Sequence, residues 1–240
     1  MRYKGGYNTY GIKVGVMVTN KRFPRVPGDV GNATTFDFPV AFRVVKESTG
    51  DRHRRGDPEL LVPYINAAKS LAAEGCQAIT TSCGFLGHFQ NDIAREVDAL
   101  ILTSSLLQLP LVYRMLRPDQ KVGVVTADGP KFNEKLLESV GARGVPIVFA
   151  GLEDCYEFST GVLGEKGTLD FDQTEREVAE VARKLVEANP DVGAIVLECA
   201  TLPPYSKAVQ DATGLPVFDI ITLTRWAYSG LVQKSYNGYL

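Results

Sequence analysis

Two of the four cysteines stand where a thiol can do chemistry. Cys83 ends the stretch Gly75-Cys76-Gln77-Ala78-Ile79-Thr80-Thr81-Ser82, a short apolar rise that reads as a buried strand. It is followed by Phe85, Phe89, Ile93 and Val97 at helical spacing. Cys199 repeats the arrangement: Val192-Gly193-Ala194-Ile195-Val196-Leu197-Glu198 rises as a strand, and a helix begins at Pro203 and Pro204. Each thiol therefore sits at a strand-to-helix turn. Unpaired N–H groups and the positive end of a helix dipole there favour thiolate over thiol. Single cysteines are more often buried and inert, and that reading suits Cys76 and Cys155, which lack such a turn. A matched pair suits proton transfer at carbon, one thiol removing a weakly acidic proton and the other returning one to the opposite face. A thiol's ordinary pKa, about 8.5, can be tuned toward neutrality for that work.

Around the cysteines are groups that could hold a small carboxylate. Thr81, Ser82, Thr126 and Thr201 serve as caps at such turns, and caps at a cleft also bind carboxylates. The backbone N–H groups at Gly84 and Ala200 are expected on the carboxylate side. The loop from Asn20 to Thr35 is long for a compact domain, which makes it a wall or lid, with Arg25 or Asn32 reaching substrate. Arg52, Arg54 and Arg55 read as a solvated face. Glu198 reads as structural, since it points away from Cys199 in an extended strand. His88 falls on the helix after Cys83, where surface or supporting roles are commoner. Two histidines and scattered thiols do not make a metal site, so no metal is expected.

The elements that position these residues alternate. Strands are expected at Ile12–Thr19, Phe38–Val45, the run before Cys83 and Ala99–Thr103, then again at Lys121–Thr126, Pro146–Ala150, the run before Cys199 and Pro216–Asp219. Helices lie between them. Asp57-Pro58 opens one, with Pro63 bending it or delaying its start. Ser104–Leu116 is another, kinked at Pro110. Asp128-Gly129-Pro130 opens a third, and Asp172-Gln173-Thr174-Glu175 caps a fourth as a capping box. Val14-Gly15-Val16 matches Val122-Gly123-Val124, and Ala78-Ile79 matches Ala194-Ile195, so the chain is one unit twice. The expected fold class is α/β: two lobes related by a pseudo-twofold, each a four-stranded parallel sheet flanked by helices. Ligands of such sheets gather at the carboxyl ends of strands, which puts the site in the cleft between the lobes.

Composition narrows the function classes. The 240 residues carry a formal net charge of −2, so no electrostatic case exists for nucleic acid or an anionic membrane. No apolar run nears the roughly 20 residues of a membrane span. The polar, Gly-rich first eleven residues show no secretion signal. The expectation is a cytoplasmic protein with reduced thiols, and a homo-oligomer is left open.

Cys83 after Thr81-Ser82, and Cys199 two residues before Thr201, in a two-lobed α/β chain, resemble the aspartate/glutamate/hydantoin racemase superfamily. The likeness runs from Ile12 to about Trp226. It implies that the last helix crosses back to the first lobe, giving a first lobe of 1–115 completed by 220–240 and a second of 116–219. It also implies that Cys83 and Cys199 are the acid/base pair, with Thr81, Ser82, Thr126 and Thr201 lining a carboxylate site. The implied activity is cofactor-independent racemisation at the Cα of a small amino acid or related carboxylate, without pyridoxal phosphate. Other reactions of the superfamily are the alternatives: hydantoin racemisation, cis–trans isomerisation, or decarboxylation of a small dicarboxylate. A non-enzymatic carboxylate binder is a further one. The first strand's end, Val18-Thr19-Asn20, lacks the Asp-Ser pair usual in glutamate racemases, and no His follows Cys199-Ala200-Thr201, which argues against cell-wall glutamate racemase.

Overall fold

The computed structural model describes residue 2 and residues 5–239. Residues 1, 3, 4 and 240, at the outer ends of the expected N-terminal arm and of the last segment, lie outside the described residues. Near-continuous β-branched runs become strands covered on both faces, as their composition requires. β1 (Val14–Thr19) and β3 (Ala78–Thr81) are buried throughout. With β2 (Val40–Val45) and β4 (Leu100–Leu102) they form a parallel sheet in the order β2-β1-β3-β4. The second half builds the same sheet from β5 (Lys121–Thr126), β6 (Ile147–Gly151), β7 (Val192–Leu197) and β8 (Val217–Phe218), in the order β6-β5-β7-β8. The fold is two four-stranded parallel α/β layers. In each sheet the strand order reverses between the first strand and the third, β1/β3 and β5/β7. That is where open α/β sheets hold ligands.

The helices are α1 (Leu61–Ala73), α2 (Gln90–Glu96), α3 (Leu109–Met115), α4 (Glu134–Ser139), α5 (Tyr156–Phe158), α6 (Phe171–Ala188), α7 (Ser206–Thr213) and α8 (Ile220–Leu231). Two of them cross between the sheets: α3 meets β5, and α8 lies on β3 and β4. The repeat extends to packing. A Cβ on Gly15 would come within 2.9 Å of Leu71 on α1, and one on Gly123 within 2.7 Å of Ile195. Both glycines let a bulky side chain press on the first strand of a sheet.

Several local expectations change in detail. Asp57 does cap with Pro58 behind it, but the first turn, Pro58–Leu60, is 3₁₀ and the α-helix starts at Leu61, so Pro63 falls in its first turn where a missing N–H costs nothing. Pro110 does not kink a helix. The Ser104 hydroxyl caps a 3₁₀ turn, Ser105–Gln108, and Pro110 sits at the start of α3. Asp128-Gly129-Pro130 opens only a 3₁₀ turn, and α4 is capped separately by the Asn133 side chain. The cap of α6 is Asp170, which accepts from Gln173 N–H at 2.9 Å, two residues before the expected box. A true capping box stands instead at Asp219 and Thr222, starting α8. Among the described residues no helix is long and apolar enough to cross a membrane.

Candidate active site

The residue before each cysteine ties the site to its sheet. Ser82 continues β3: its N–H donates to Met17 O, and its Oγ accepts from Thr19 N–H at 2.8 Å. Glu198 continues β7: its N–H donates to Val125 O, and its Oε2 accepts from Ala127 N–H at 3.2 Å. The two turns are built alike, and the partner of Thr19 in the repeat is Ala127 rather than Thr126. The extra reach of Glu198 lets Oε2 accept from the Thr126 hydroxyl as well, at 2.9 Å. The two lobes are also joined at this point, since the Ser105 hydroxyl donates to Leu197 O at 2.7 Å.

Both thiols, each nearly buried, face one cavity. Thr19, Ser82 and Thr201 line it with them, as do Lys21, His53 and Arg54, and the apolar groups Phe23, Phe85, Ala127, Val162 and Leu163. Its volume is about 30 Å³, and it is partly open. Cys83 stands at the N-cap of a 3₁₀ helix, Gly84–Phe89, without a side-chain cap hydrogen bond, and the nearby Phe85 N–H favours its thiolate. The Cys199 sulfur lies 3.1 Å from Thr201 Oγ1, and the nearby Thr201 N–H also favours its thiolate. These donors favour thiolate, but burial outweighs them. The Cys199 thiol is pushed up to about 12, first by desolvation and then by the Glu198 charge. The Cys83 thiol is raised further by the same two causes and by the charge of Cys199 itself. Each ionised thiol opposes ionisation of the other, so the pair carries at most one charge under ordinary conditions.

Of the residues singled out in the sequence, the cavity brings together Cys83, Cys199, Ser82 and Thr201. Thr81 does not line it: its hydroxyl lies 2.9 Å from Cys83 O and 2.8 Å from Thr103 O, bracing the turn from within. Thr126 serves Glu198. Gly84 presses on Glu198, where a Cβ would come within 2.4 Å of Oε1, and Ala200 lies in the core beneath. The backbone N–H groups that favour charge on the sulfurs are those of Phe85 and Thr201. Asn32 donates to Arg25 O and accepts from Thr34 N–H, so it holds the 20–35 loop together rather than reaching the cavity. Arg25 pairs with Asp29 at 2.9 Å and stacks over Phe23, one shell behind the cavity wall. His88 is half-buried against Gly56, away from the thiols.

Four site residues escaped the sequence reading. Arg54 is no solvated face: its side chain is 13% exposed, and Nε lies 3.2 Å from Asp128 Oδ2. His53 is 3% exposed. Desolvation, with Lys21 and Arg54 nearby, lowers it to about 3, which keeps it neutral. Lys21 reaches Glu165 Oε1 at 3.4 Å. Glu198 is fully buried, and desolvation lifts its carboxyl to about 7 against the hydrogen bonds from Ala127 and Thr126. The run of Arg52, His53, Arg54 and Arg55 was the available signal for two of these, but one turn of chain decides which basic side chain faces inward. Arg52 pairs with Asp57 and Glu59 outside.

A family model for Asp/Glu/hydantoin racemases matches residues 109–227. A dimethylsulfoniopropionate lyase of Durusdinium sp. clade D is 30% identical over 233 residues, covering 94% of this chain and 77% of that protein. The chain belongs to the aspartate/glutamate/hydantoin racemase superfamily. Dimethylsulfoniopropionate lyase 7 of Emiliania huxleyi (strain CCMP1516) is 33% identical over 221 residues, with 87% of this chain aligned to 64% of its length. Among solved structures, unliganded arylmalonate decarboxylase superposes with a TM-score of 0.60 at 14% identity, over 92% of this chain and 93% of that one. The superfamily fold thus accounts for the two sheets and the cleft between them, and its members' names span racemases and lyases.

Proposed function

We propose that this chain is a cofactor-independent lyase that removes a proton α to a carboxylate and expels a β-sulfonium group as a neutral sulfide. Dimethylsulfoniopropionate is the first substrate to test. The observation that carries the reading is the wall of the thiol cavity, which supplies the cations Lys21 and Arg54 together with the apolar surfaces of Phe23, Phe85, Val162 and Leu163. A carboxylate suits the former. A dimethylsulfonium group has a charge but no N–H to satisfy, so it suits aromatic and aliphatic contact. The α-ammonium of an amino acid would need hydrogen-bond acceptors in its place.

The chemistry follows from the thiol pair. Cys199, with the Thr201 hydroxyl on its sulfur and the Thr201 N–H favouring its charge, is the thiol better able to ionise, and the arriving sulfonium cation favours that thiolate. Cys199 thiolate takes the α-proton and becomes a thiol. The C–H electron pair forms the Cα–Cβ double bond, the Cβ–S bond breaks, and the sulfide leaves with the Cβ–S bonding pair. The products are dimethyl sulfide and acrylate, and the proton is released when Cys199 ionises again. Cys83 stays neutral, as the mutual repulsion of the pair demands, and can donate to the negative charge that builds on the carboxylate.

Racemisation needs the same first step and then reprotonation from the opposite face, so proton NMR in D₂O separates the two. The lyase reading expects loss of the dimethylsulfoniopropionate signals with growth of acrylate and dimethyl sulfide. No elimination, together with exchange of the Cα–H of aspartate, glutamate or a hydantoin, would make the chain a racemase instead.

A further inference from the structure

Two side chains in the cavity wall hold three polar atoms that nothing among the described residues satisfies. His53 Nδ1, Arg54 Nε and Arg54 Nη1 are buried without a hydrogen-bond partner. Arg54 Nε is near Asp128 Oδ2 at 3.2 Å, but not in hydrogen-bonding geometry. Buried donors left unmet carry a cost that a bound acceptor relieves. Lys21 lines the same cavity, with a side chain only 5% exposed. All three come from loops at the carboxyl ends of β1 and β2. The carboxylates beside them come from the second half of the chain: Asp128 follows β5, and Glu165 follows α5. Glu165 is the one non-glycine residue with a left-handed backbone among the described residues, at φ 56°. Besides Lys21, it takes the Arg22 N–H. The protein thus places its own carboxylates against two cations that share a cavity with the reactive thiols.

We propose that Arg54, Lys21 and His53 form the subsite for the substrate's carboxylate, which competes there with Asp128 and Glu165 of the other lobe. The inference deepens the lyase reading and rests on it for the nature of the substrate. This subsite takes the place expected of the turns at Gly84 and Ala200, which press on Glu198 and lie in the core rather than line the cavity. Arg54 offers Nη1 to one carboxylate oxygen, Lys21 supplies a second cation, and neutral His53 can donate from Nδ1. Such charge-assisted bonds fix orientation as well as affinity.

Calorimetric titration with propionate, which has the carboxylate but no leaving group, tests this without turnover. The neutral isostere propionamide is the control. Arg54→Gln is expected to raise the propionate Kd about tenfold. Asp128→Asn, which removes the internal competitor, is expected to lower it severalfold. Propionamide is expected to bind wild type at least about tenfold more weakly than propionate. Near-UV circular dichroism establishes that each variant is folded. An unchanged Kd in folded Arg54→Gln, weaker binding in Asp128→Asn, or equal binding of propionamide would overturn the subsite. Should Arg54→Gln not fold, the other two comparisons decide. A protein that binds propionate in this pattern yet releases no dimethyl sulfide would lose the lyase reading and keep the subsite. A lyase with unchanged propionate binding in Arg54→Gln would lose only the subsite.

Discussion

Ser82 and Glu198 occupy the same place in the repeat, and the difference between them gives the site its charge balance. Both accept the N–H that ends the neighbouring strand, but only Glu198 brings a carboxylate, with Oε1 left unpartnered in the interior. Asp128 raises that carboxyl further and Arg54 lowers it, and its charge raises both thiols. In Glu198→Gln the thiols are expected to ionise at lower pH, seen as an alkaline limb of thiolate absorbance displaced downward. A limb that stays in place would mean the carboxylate does not act on the thiols. The same residue has a stability signature. Its folded pKa, about 7, lies above the ordinary glutamate value of 4.5, so the folded state binds the proton more tightly. That contribution is fully present below about pH 4.5, declines as pH rises toward 7, and amounts to about 3 kcal/mol. Urea unfolding of wild type and Glu198→Gln is expected to show a stability difference that shifts toward the variant over that window. Cys83→Ser and Cys199→Ser are each expected to lower kcat/KM for sulfide release by about 10²–10⁴-fold, since a hydroxyl ionises far less readily than a thiol. Near-wild-type release in either variant would remove that thiol from the mechanism.

At the scale of elements, the short 3₁₀ helix after Cys83 matters more than the α-helix behind it. Gly84–Phe89 turns tightly enough to bring Phe85 into the cavity wall beside Cys83 and the Gly84 backbone against Glu198. The phenylalanine spacing predicts a helix there, and α2 does follow at Gln90–Glu96, but periodicity alone does not separate a 3₁₀ start from an α start. Gly84 has no room for a methyl group: a Cβ would lie 2.1 Å from Glu198 O, which is backbone and cannot swing aside. Gly84→Ala is therefore expected to cost about 3 kcal/mol of stability and to separate the thiols' turns, with loss of activity. Chemical denaturation together with the sulfide assay checks both effects. A stable, active alanine variant would show that the two turns do not depend on close contact.

At the scale of the whole molecule, the thiol cavity is small, about 30 Å³, and only partly open, so a carboxylate substrate is expected to need movement of part of its wall. Val162 and Leu163, in a π-helical turn at Ser159–Leu163, form one part of that wall. The contact of Glu165 with Lys21 joins the segment to the first lobe at 3.4 Å. A partly buried pair of this kind contributes about 1 kcal/mol. Glu165→Gln is then expected to speed iodoacetamide alkylation of Cys83 and Cys199 about fivefold, measured by mass spectrometry of the two peptides. Unchanged alkylation would place the moving part elsewhere.

The repeat, the parallel α/β class and the place of Cys83 and Cys199 at matching strand ends were legible in the sequence because each depends on local pattern. Continuous β-branched runs such as Val14–Thr19 bury both faces of a strand, and a cysteine after such a run stands at its carboxyl end. Only the tertiary structure decided what faces the thiols. Arg54 and Arg52 stand two residues apart in one basic run, yet the first turns into the cavity toward Asp128 and the second outward toward Asp57 and Glu59. Asn32 and Arg25, polar residues in a long loop, turn inward to stabilise that loop. Glu198 projects away from Cys199 as an extended strand requires, and the neighbouring strand and the Gly84 turn arrive from other parts of the chain to bury it. Side-chain direction along one strand follows from the chain's own geometry, whereas the surroundings it meets depend on segments roughly a hundred residues distant being folded against it.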